Sequence, residues 1–146
     1  MTTATAPIVV TSELYAQVLH FYAHQMQHLD ARRFEEYAAS FTEDGVFQHS
    51  PGAEPAVSRD AIVRELVEFH KKYDPATVRR RHWFNHVALE AQADGTVKST
   101  VYALVATIRP GAKPEINPSC LVHDTLVVED GEILLKSRLI THDQVF

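Results

Sequence analysis

The chain is poor in the residues that carry several common functions. A single cysteine, Cys120, stands among 146 residues, which excludes an intramolecular disulfide and any cysteine-cluster metal site. Positive charge is also in deficit: 14 Lys and Arg against 19 Asp and Glu give a formal net charge of -5. Nucleic-acid-binding faces are usually basic, and the longest basic run, Arg79-Arg80-Arg81, is too short to supply one. No apolar stretch approaches the roughly 18 residues needed to cross a membrane. Glycine is scarce at 5 residues, with no phosphate-cradling loop, no dinucleotide fingerprint and no Ser-His-Asp order. Residues 1–11 lack a basic segment before the short apolar Ile8-Val9-Val10, so they read as a flexible N-terminus and not as a signal peptide. The expectation is a cytoplasmic protein with neither membrane nor nucleic acid as partner.

What is present is an ordinary globular composition, 45% hydrophobic and 23% charged, of a size that suits one domain over residues 12–146. From Ser12 to Leu29 apolar residues recur at helical spacing: Tyr15, Val18, Leu19, Tyr22, Met26 and Leu29. A shorter helix is predicted over Arg32–Phe41, broken by Thr42-Glu43-Asp44-Gly45 before a short strand at Val46–His49. Pro51-Gly52 and Pro55 mark a loop. A third helix, capped by Ser58, runs to Tyr73 with Ile62, Leu66 and Phe69 inward. From His82 the period falls to two, giving strands His82–Ala91, Val97–Arg109, Ser119–Glu129 and Glu132–His142. Asp94-Gly95 and Asp130-Gly131 are hairpin turns. Helices first and an antiparallel meander second is an α+β layout, and a curved sheet under helices leaves a hollow of the kind that holds ligands.

These elements, and the local motifs within them, resemble the SnoaL-like branch of the NTF2-like superfamily over about Ser12 to Asp143. The motifs are Leu29-Asp30-Ala31-Arg32-Arg33-Phe34, Phe41-Thr42-Glu43-Asp44-Gly45-Val46-Phe47, Ser58-Arg59-Asp60-Ala61-Ile62, Arg81-His82-Trp83-Phe84-Asn85, His123-Asp124 and Val128-Glu129-Asp130-Gly131. The resemblance implies a cone-shaped fold, with a curved antiparallel sheet wrapped around N-terminal helices and a central pocket. It spans polyketide cyclases of antibiotic biosynthesis, dehydratases, isomerases, oxygenase small subunits and binding modules, so it constrains fold more than function. Asp30 and His82 occupy places similar to acid/base positions of scytalone dehydratase. The second histidine of that family has no counterpart in the Val97–Arg109 strand. Asp124 resembles the acid/base aspartate of the SnoaL cyclases.

Each candidate also has a structural reading. Asp30 stands where a helix N-cap would stand, or is a cavity carboxylate. His82 shares one strand face with Phe84 and His86, while Trp83, Asn85 and Val87 take the other. If Asp130-Gly131 is a two-residue turn, Asp124 lies opposite Ser137 on an apolar face with Val122, Leu126 and Leu139. The wetter face then carries His123, Lys136, Arg138 and Ile140 and suits a homodimer contact. Tyr15, Tyr22, His49, Asn85, His86 and Tyr102 are candidate substrate-binding residues. Cys120 is read as an inert buried thiol. Of the nine histidines, His20, His24 and His28 fall on an outward helix face and read as polar surface, not as a metal stripe.

The resulting expectation is a lyase- or isomerase-type acid/base enzyme that needs neither metal nor cofactor. Its substrate is a small hydrophobic carbonyl-bearing ring compound, such as a polyketide intermediate. Asp30, His82 and Asp124 are its catalytic candidates. The alternative is a non-catalytic binding module or the small subunit of a ring-hydroxylating oxygenase.

Overall fold

Thr11 starts the first helix by accepting a hydrogen bond from Leu14 N at 3.0 Å on its Oγ1, one of the donors that a helix start leaves open. The computed structural model describes residues 9–145, so residues 1–8 of the stretch expected to be flexible lie outside it. In chain order the elements are α1 Ser12–Asp30, α2 Phe34–Ala39, β1 Phe41–Gln48, β2 Ala56–Val57, α3 Arg59–His70, β3 Arg79–Ala91, β4 Val97–Ile108, β5 Glu115–Glu129 and β6 Glu132–His142. Helix α1 buries Val18, Tyr22, Met26 and Leu29, as its periodicity predicts, together with Gln25. Leu19, expected inward, is exposed. Ser58 caps α3, accepting from Ala61 N at 3.2 Å, and α3 ends at His70 instead of Tyr73.

The break expected at Thr42–Gly45 is instead part of β1. Phe41 pairs with Leu135 and Val46 with Ser137, so the register shifts between them. The chain folds tightly there: a Cβ on Gly45 would stand 2.8 Å from Phe41 Cβ and 2.9 Å from Thr42 O. Only glycine fits that approach. The strand thus begins at the fully buried Phe41, ahead of the expected start at Val46.

The six strands form one curved, unclosed sheet in the order β2-β1-β6-β5-β4-β3. Strands β1 and β6 run parallel and the other pairs antiparallel. Helices α1 and α3 pack against it through β3, β6 and β1. The Asp130-Gly131 turn pairs Glu129 with Glu132, as expected, with both turn residues at positive φ.

Two bulges overturn the expected faces. In β6 the pairs Leu126–Leu135 and Thr125–Ser137 leave Lys136 as an extra residue. One inserted residue sends every later side chain to the opposite face. Asp124 therefore pairs with Arg138, not Ser137, and Arg138 and Ile140 face inward instead of forming the wet outer face. A second bulge follows Asn85, with His86 at φ 53. It separates His86 from the Phe84 face and turns Val87 into the core, 7% exposed.

Arg138, 2% exposed, ties the layers together. Its Nε and Nη2 each donate to Asp124 at 2.9 Å. Nη2 also donates to Gln25 Oε1 at 2.7 Å and Nη1 to Tyr37 Oη at 2.9 Å. Tyr22 donates to Asp124 at 2.7 Å and lies 2.6 Å from Ser99 Oγ. Burial opposes the charge on Arg138, yet Asp124 and the two phenol groups hold its pKa above the ordinary arginine value. Burial, reinforced by Asp124, pushes the Tyr22 phenol well up.

Removing one partner strands a buried charge. Arg138→Met is expected to lose about 3–5 kcal/mol of stability in urea denaturation. The double variant Asp124→Leu with Arg138→Met should recover most of that loss, and strictly additive losses would show that the two charges are not coupled.

Candidate active site

The last residue of α1 reaches across to the start of β3. Asp30 Oδ2 accepts the backbone N–H of His82 at 3.2 Å, and Oδ1 lies 2.6 Å from His82 Nδ1. Asp30 does not cap α2, whose N-cap position is Arg33. Arg32 turns the chain at φ 61 and donates to Tyr73 O at 2.6 Å, which joins the end of α1 to the segment after α3. The two side chains of the pair are 9% (Asp30) and 14% (His82) exposed. A carboxylate accepts and does not donate, so Nδ1 of neutral His82 carries the proton and Nε2 carries the lone pair. Among the described residues Nε2 has no hydrogen-bond partner.

His82 forms part of the wall of a cavity of about 280 Å³ between the sheet and the helices. Met26, Leu29, Phe47, Leu66, Phe69, Phe84, Val105 and Ile140 make it largely apolar. Its polar lining includes His49, His70, Lys72, Tyr73, Arg80, Asn117, Arg138 and His142, and among the described residues it contains no carboxylate. A second hollow of about 250 Å³ lies on the Asp30 side and shares Leu29, His70, Tyr73, Arg80 and His82 with the first. Asp30 therefore stands behind His82, outside the main chamber.

Arg80 comes from the same β3 face as His82. Its guanidinium carbon lies 4.9 Å from the Tyr73 ring centroid and 5.5 Å from that of Phe69. Its Nε is buried without a partner. Burial pulls its pKa below the ordinary arginine value, while Tyr73 and Asp30 oppose that change. Lys72 Nζ sits 4.0 Å over Phe69. The chamber thus carries cations on an aromatic wall, a favourable placement for weakly hydrated charge.

Arg138 and Tyr37, members of the buried network, also line the chamber. Asp124 itself does not line the chamber; its oxygens accept from Arg138 and Tyr22, and Arg138 stands between it and the cavity. His49 lines the wall, with Nε2 3.1 Å from Glu65 Oε1 but at an angle that makes no hydrogen bond. Burial, then the His142 and Lys72 charges, lower the His49 pKa, and burial raises that of Glu65. His142 contacts His49 O at 3.0 Å. Burial pushes the Cys120 thiol up to about 11, which leaves it a poor nucleophile.

The other sequence candidates lie outside the chamber. Tyr15 donates to Val87 O at 2.8 Å, and Tyr22 is committed to the buried network while packing edgewise on Phe84. Asn85, His86 and Tyr102 lie on the outer sheet surface with Trp83 and Leu104. His20 and His24 are exposed, their Nε2 atoms 3.0 Å apart. Among the described residues no group of three or more His, Cys, Asp or Glu converges as a metal site. Sequence reading missed Arg80, His70, Arg138 and His142. The inward parity of Arg80 with His82 was available as a signal; for Arg138 and His142 the β6 bulge concealed it.

Known proteins share this architecture. ActVI-ORFA from Streptomyces coelicolor is 53% identical, covers 92% of this chain and 100% of its own, and superposes with a TM-score of 0.88. A Catenulispora acidiphila protein, solved in complex with S-DNPA, is 47% identical over 92% of this chain and 96% of its own, with a TM-score of 0.83. An NTF2-like protein with a cystatin-like fold from Novosphingobium aromaticivorans has a TM-score of 0.75 over 92% of this chain and 84% of its own. At 14% identity it shows the fold alone. No curated protein sequence matches the chain. The SnoaL-like domain model matches residues 10–139, which agrees with the α+β layout and the chamber under the sheet. The chain belongs to the SnoaL-like domain family.

Proposed function

We propose that the protein is an acid/base enzyme that dehydrates, cyclises or isomerises a small carbonyl-bearing ring compound such as a polyketide intermediate, without a cofactor. The observation that carries this reading is the Asp30–His82 pair, which aims an imidazole lone pair at a chamber with apolar walls. Because no carboxylate lines the chamber among the described residues, the base on this reading is His82 and not Asp30 or Asp124. Its Nε2 removes a proton next to the substrate carbonyl. Asp30 orients the ring and stabilises the imidazolium that forms, so it is a positioning residue. The guanidinium of Arg80, which makes no hydrogen bond among the described residues, faces the enolate oxygen. The imidazolium then returns the proton to a departing hydroxyl, which completes a dehydration, or to a different carbon, which completes an isomerisation. The bound S-DNPA of a relative 47% identical supports a small-molecule ligand for this scaffold.

The outer sheet surface supports a homodimer. Trp83, Tyr102, Leu104 and Ile116 are 64%, 56%, 42% and 56% exposed on neighbouring strands. Such a patch marks an interface, and a two-fold pairing covers it with itself. On this reading the contact lies on β3–β5 and not on the face expected to carry His123, Lys136, Arg138 and Ile140, of which Arg138 and Ile140 face the chamber.

His82→Ala is expected to lower turnover of a hydroxylated ring ketone, followed as conjugated-enone absorbance, by about 10²–10⁴-fold. Asp30→Asn should lower kcat with little change in KM, and both variants should melt as cooperatively as the parent. Full activity in both would remove the assignment.

Trp83 is the single tryptophan, so its emission reports burial of the patch directly. Dilution of the parent protein should shift that emission to longer wavelength as dimers separate. Leu104→Glu should elute as a monomer in size-exclusion chromatography with its circular dichroism unchanged; a parent that is monomeric at micromolar concentration would contradict the dimer.

A further inference from the structure

His70 is a buried titratable group for which the acid/base scheme has no use. It is the last residue of α3 and only 6% exposed, yet it lines both hollows. Its Nδ1 lies 2.7 Å from Leu66 O. A backbone carbonyl can only accept, so Nδ1 carries the ring hydrogen and Nε2 carries the lone pair. The ring cannot turn freely to exchange these roles. Phe34 packs against it with centroids 4.8 Å apart and Phe69 with centroids 5.1 Å apart.

Protonation does not convert Nε2 into a donor near neutral pH. Burial first, then the charges of Arg80, Arg32 and His82, outweigh the Leu66 hydrogen bond and bring the His70 pKa to about 4. Nε2 has no hydrogen-bond partner among the described residues. The polar groups nearby are mostly donors: Arg80, Lys72 and the Tyr73 hydroxyl on the same wall. They suit carbonyl or oxyanion groups on a ligand. Beside the lone pair of His82, His70 Nε2 adds an acceptor held in a fixed position, and an acceptor selects the opposite chemistry.

We propose that His70 is a specificity-determining residue whose Nε2 accepts a hydrogen bond from a ring hydroxyl, so that the chamber selects phenolic or enolic ring ligands over their O-alkylated or deoxy counterparts. This rests on the chamber being the ligand site, but not on any catalytic role for His82. A ligand that cannot donate strips the water from this acceptor and gives no hydrogen bond back, which costs more than the hydrogen bond itself gains. Nothing in the α3 sequence marks this: His70 follows Phe69 at a helix end, where a histidine ordinarily serves the helix dipole.

The test is equilibrium binding of two probes, 1-naphthol and 1-methoxynaphthalene, which differ in the donor alone apart from one methyl group. The parent protein should bind 1-naphthol on the order of tenfold more tightly. His70→Phe keeps an aromatic ring between Phe34 and Phe69 while removing the acceptor. It should bind the two probes about equally, losing affinity for 1-naphthol and keeping that for 1-methoxynaphthalene. In the parent protein, the ¹⁵N resonance of His70 Nε2 should move upfield with 1-naphthol and stay in place with 1-methoxynaphthalene, a readout that does not depend on the variant folding. Equal binding of both probes by the parent, or undiminished discrimination in His70→Phe, overturns the proposal. Binding of neither probe removes it together with the chamber as a ligand site. Retained turnover in His82→Ala with intact discrimination removes only the acid/base scheme.

Discussion

The ion pair between Arg138 and Asp124 is the contact on which the rest of the molecule converges. Both side chains are essentially removed from water, and burying two charges costs several kcal/mol per ion before any attraction is counted. The arrangement survives because nearly every polar atom of the pair is used. The guanidinium meets both Asp124 oxygens, Gln25 and Tyr37, while Asp124 also accepts from Tyr22. Those partners come from α1, α2, β5 and β6, and Ser99 adds β4 through Tyr22. Apolar packing alone would tolerate small slides of helix on sheet. A bidentate pair with two phenols and an amide has one satisfactory geometry.

That geometry also divides labour between the two aspartates that stand out in the chain. Asp124 is neutralised in place and has no oxygen left for a substrate. Asp30 has a single partner of consequence, and that partner is an imidazole whose other nitrogen remains free. Two carboxylates of the same type therefore end in opposite situations, set by whether the neighbour is a permanently charged arginine or a titratable histidine. The cations Arg80 and Lys72 complete the contrast. Among the described residues the chamber has no carboxylate in its lining, so Arg80 and Lys72 favour negative charge on a ligand, while Asp30 stands behind His82.

The parts legible from the sequence were those governed by local periodicity. The amphipathic stripe of α1, the Ser58 cap and the Asp130-Gly131 hairpin all follow from short-range rules, and each occurs in the molecule. What could not be read were single-residue insertions. Lys136 and the His86–Val87 step each leave composition and alternation almost unchanged, yet each reverses the faces beyond it. Arg138 was placed outside for this reason, and with it went the network that explains why an acidic residue can sit on the apolar face of β5. His70 was unreadable for a different reason. Its role depends on which ring nitrogen meets the Leu66 carbonyl, and spacing along a helix does not encode that.

The bulges themselves follow from what the sheet must do. A ladder in perfect register from the Glu129–Glu132 pair onward would turn Arg138 to the outside and leave Asp124 facing the core beside Ser137, a hydroxyl too weak to offset a buried charge. Inserting Lys136 costs one interrupted pairing and leaves an exposed lysine outside, where its charge is solvated. In return the strand delivers Arg138, Ile140 and His142 to the chamber side in succession. The insertion in β3 works in the same direction. It carries Val87 into the core near the start of α1, where Tyr15 holds its carbonyl, while His82 and Phe84 remain aimed at the chamber on the other side of the bulge. A sheet without these two irregularities would have a cleaner hairpin pattern and no polar floor to its pocket.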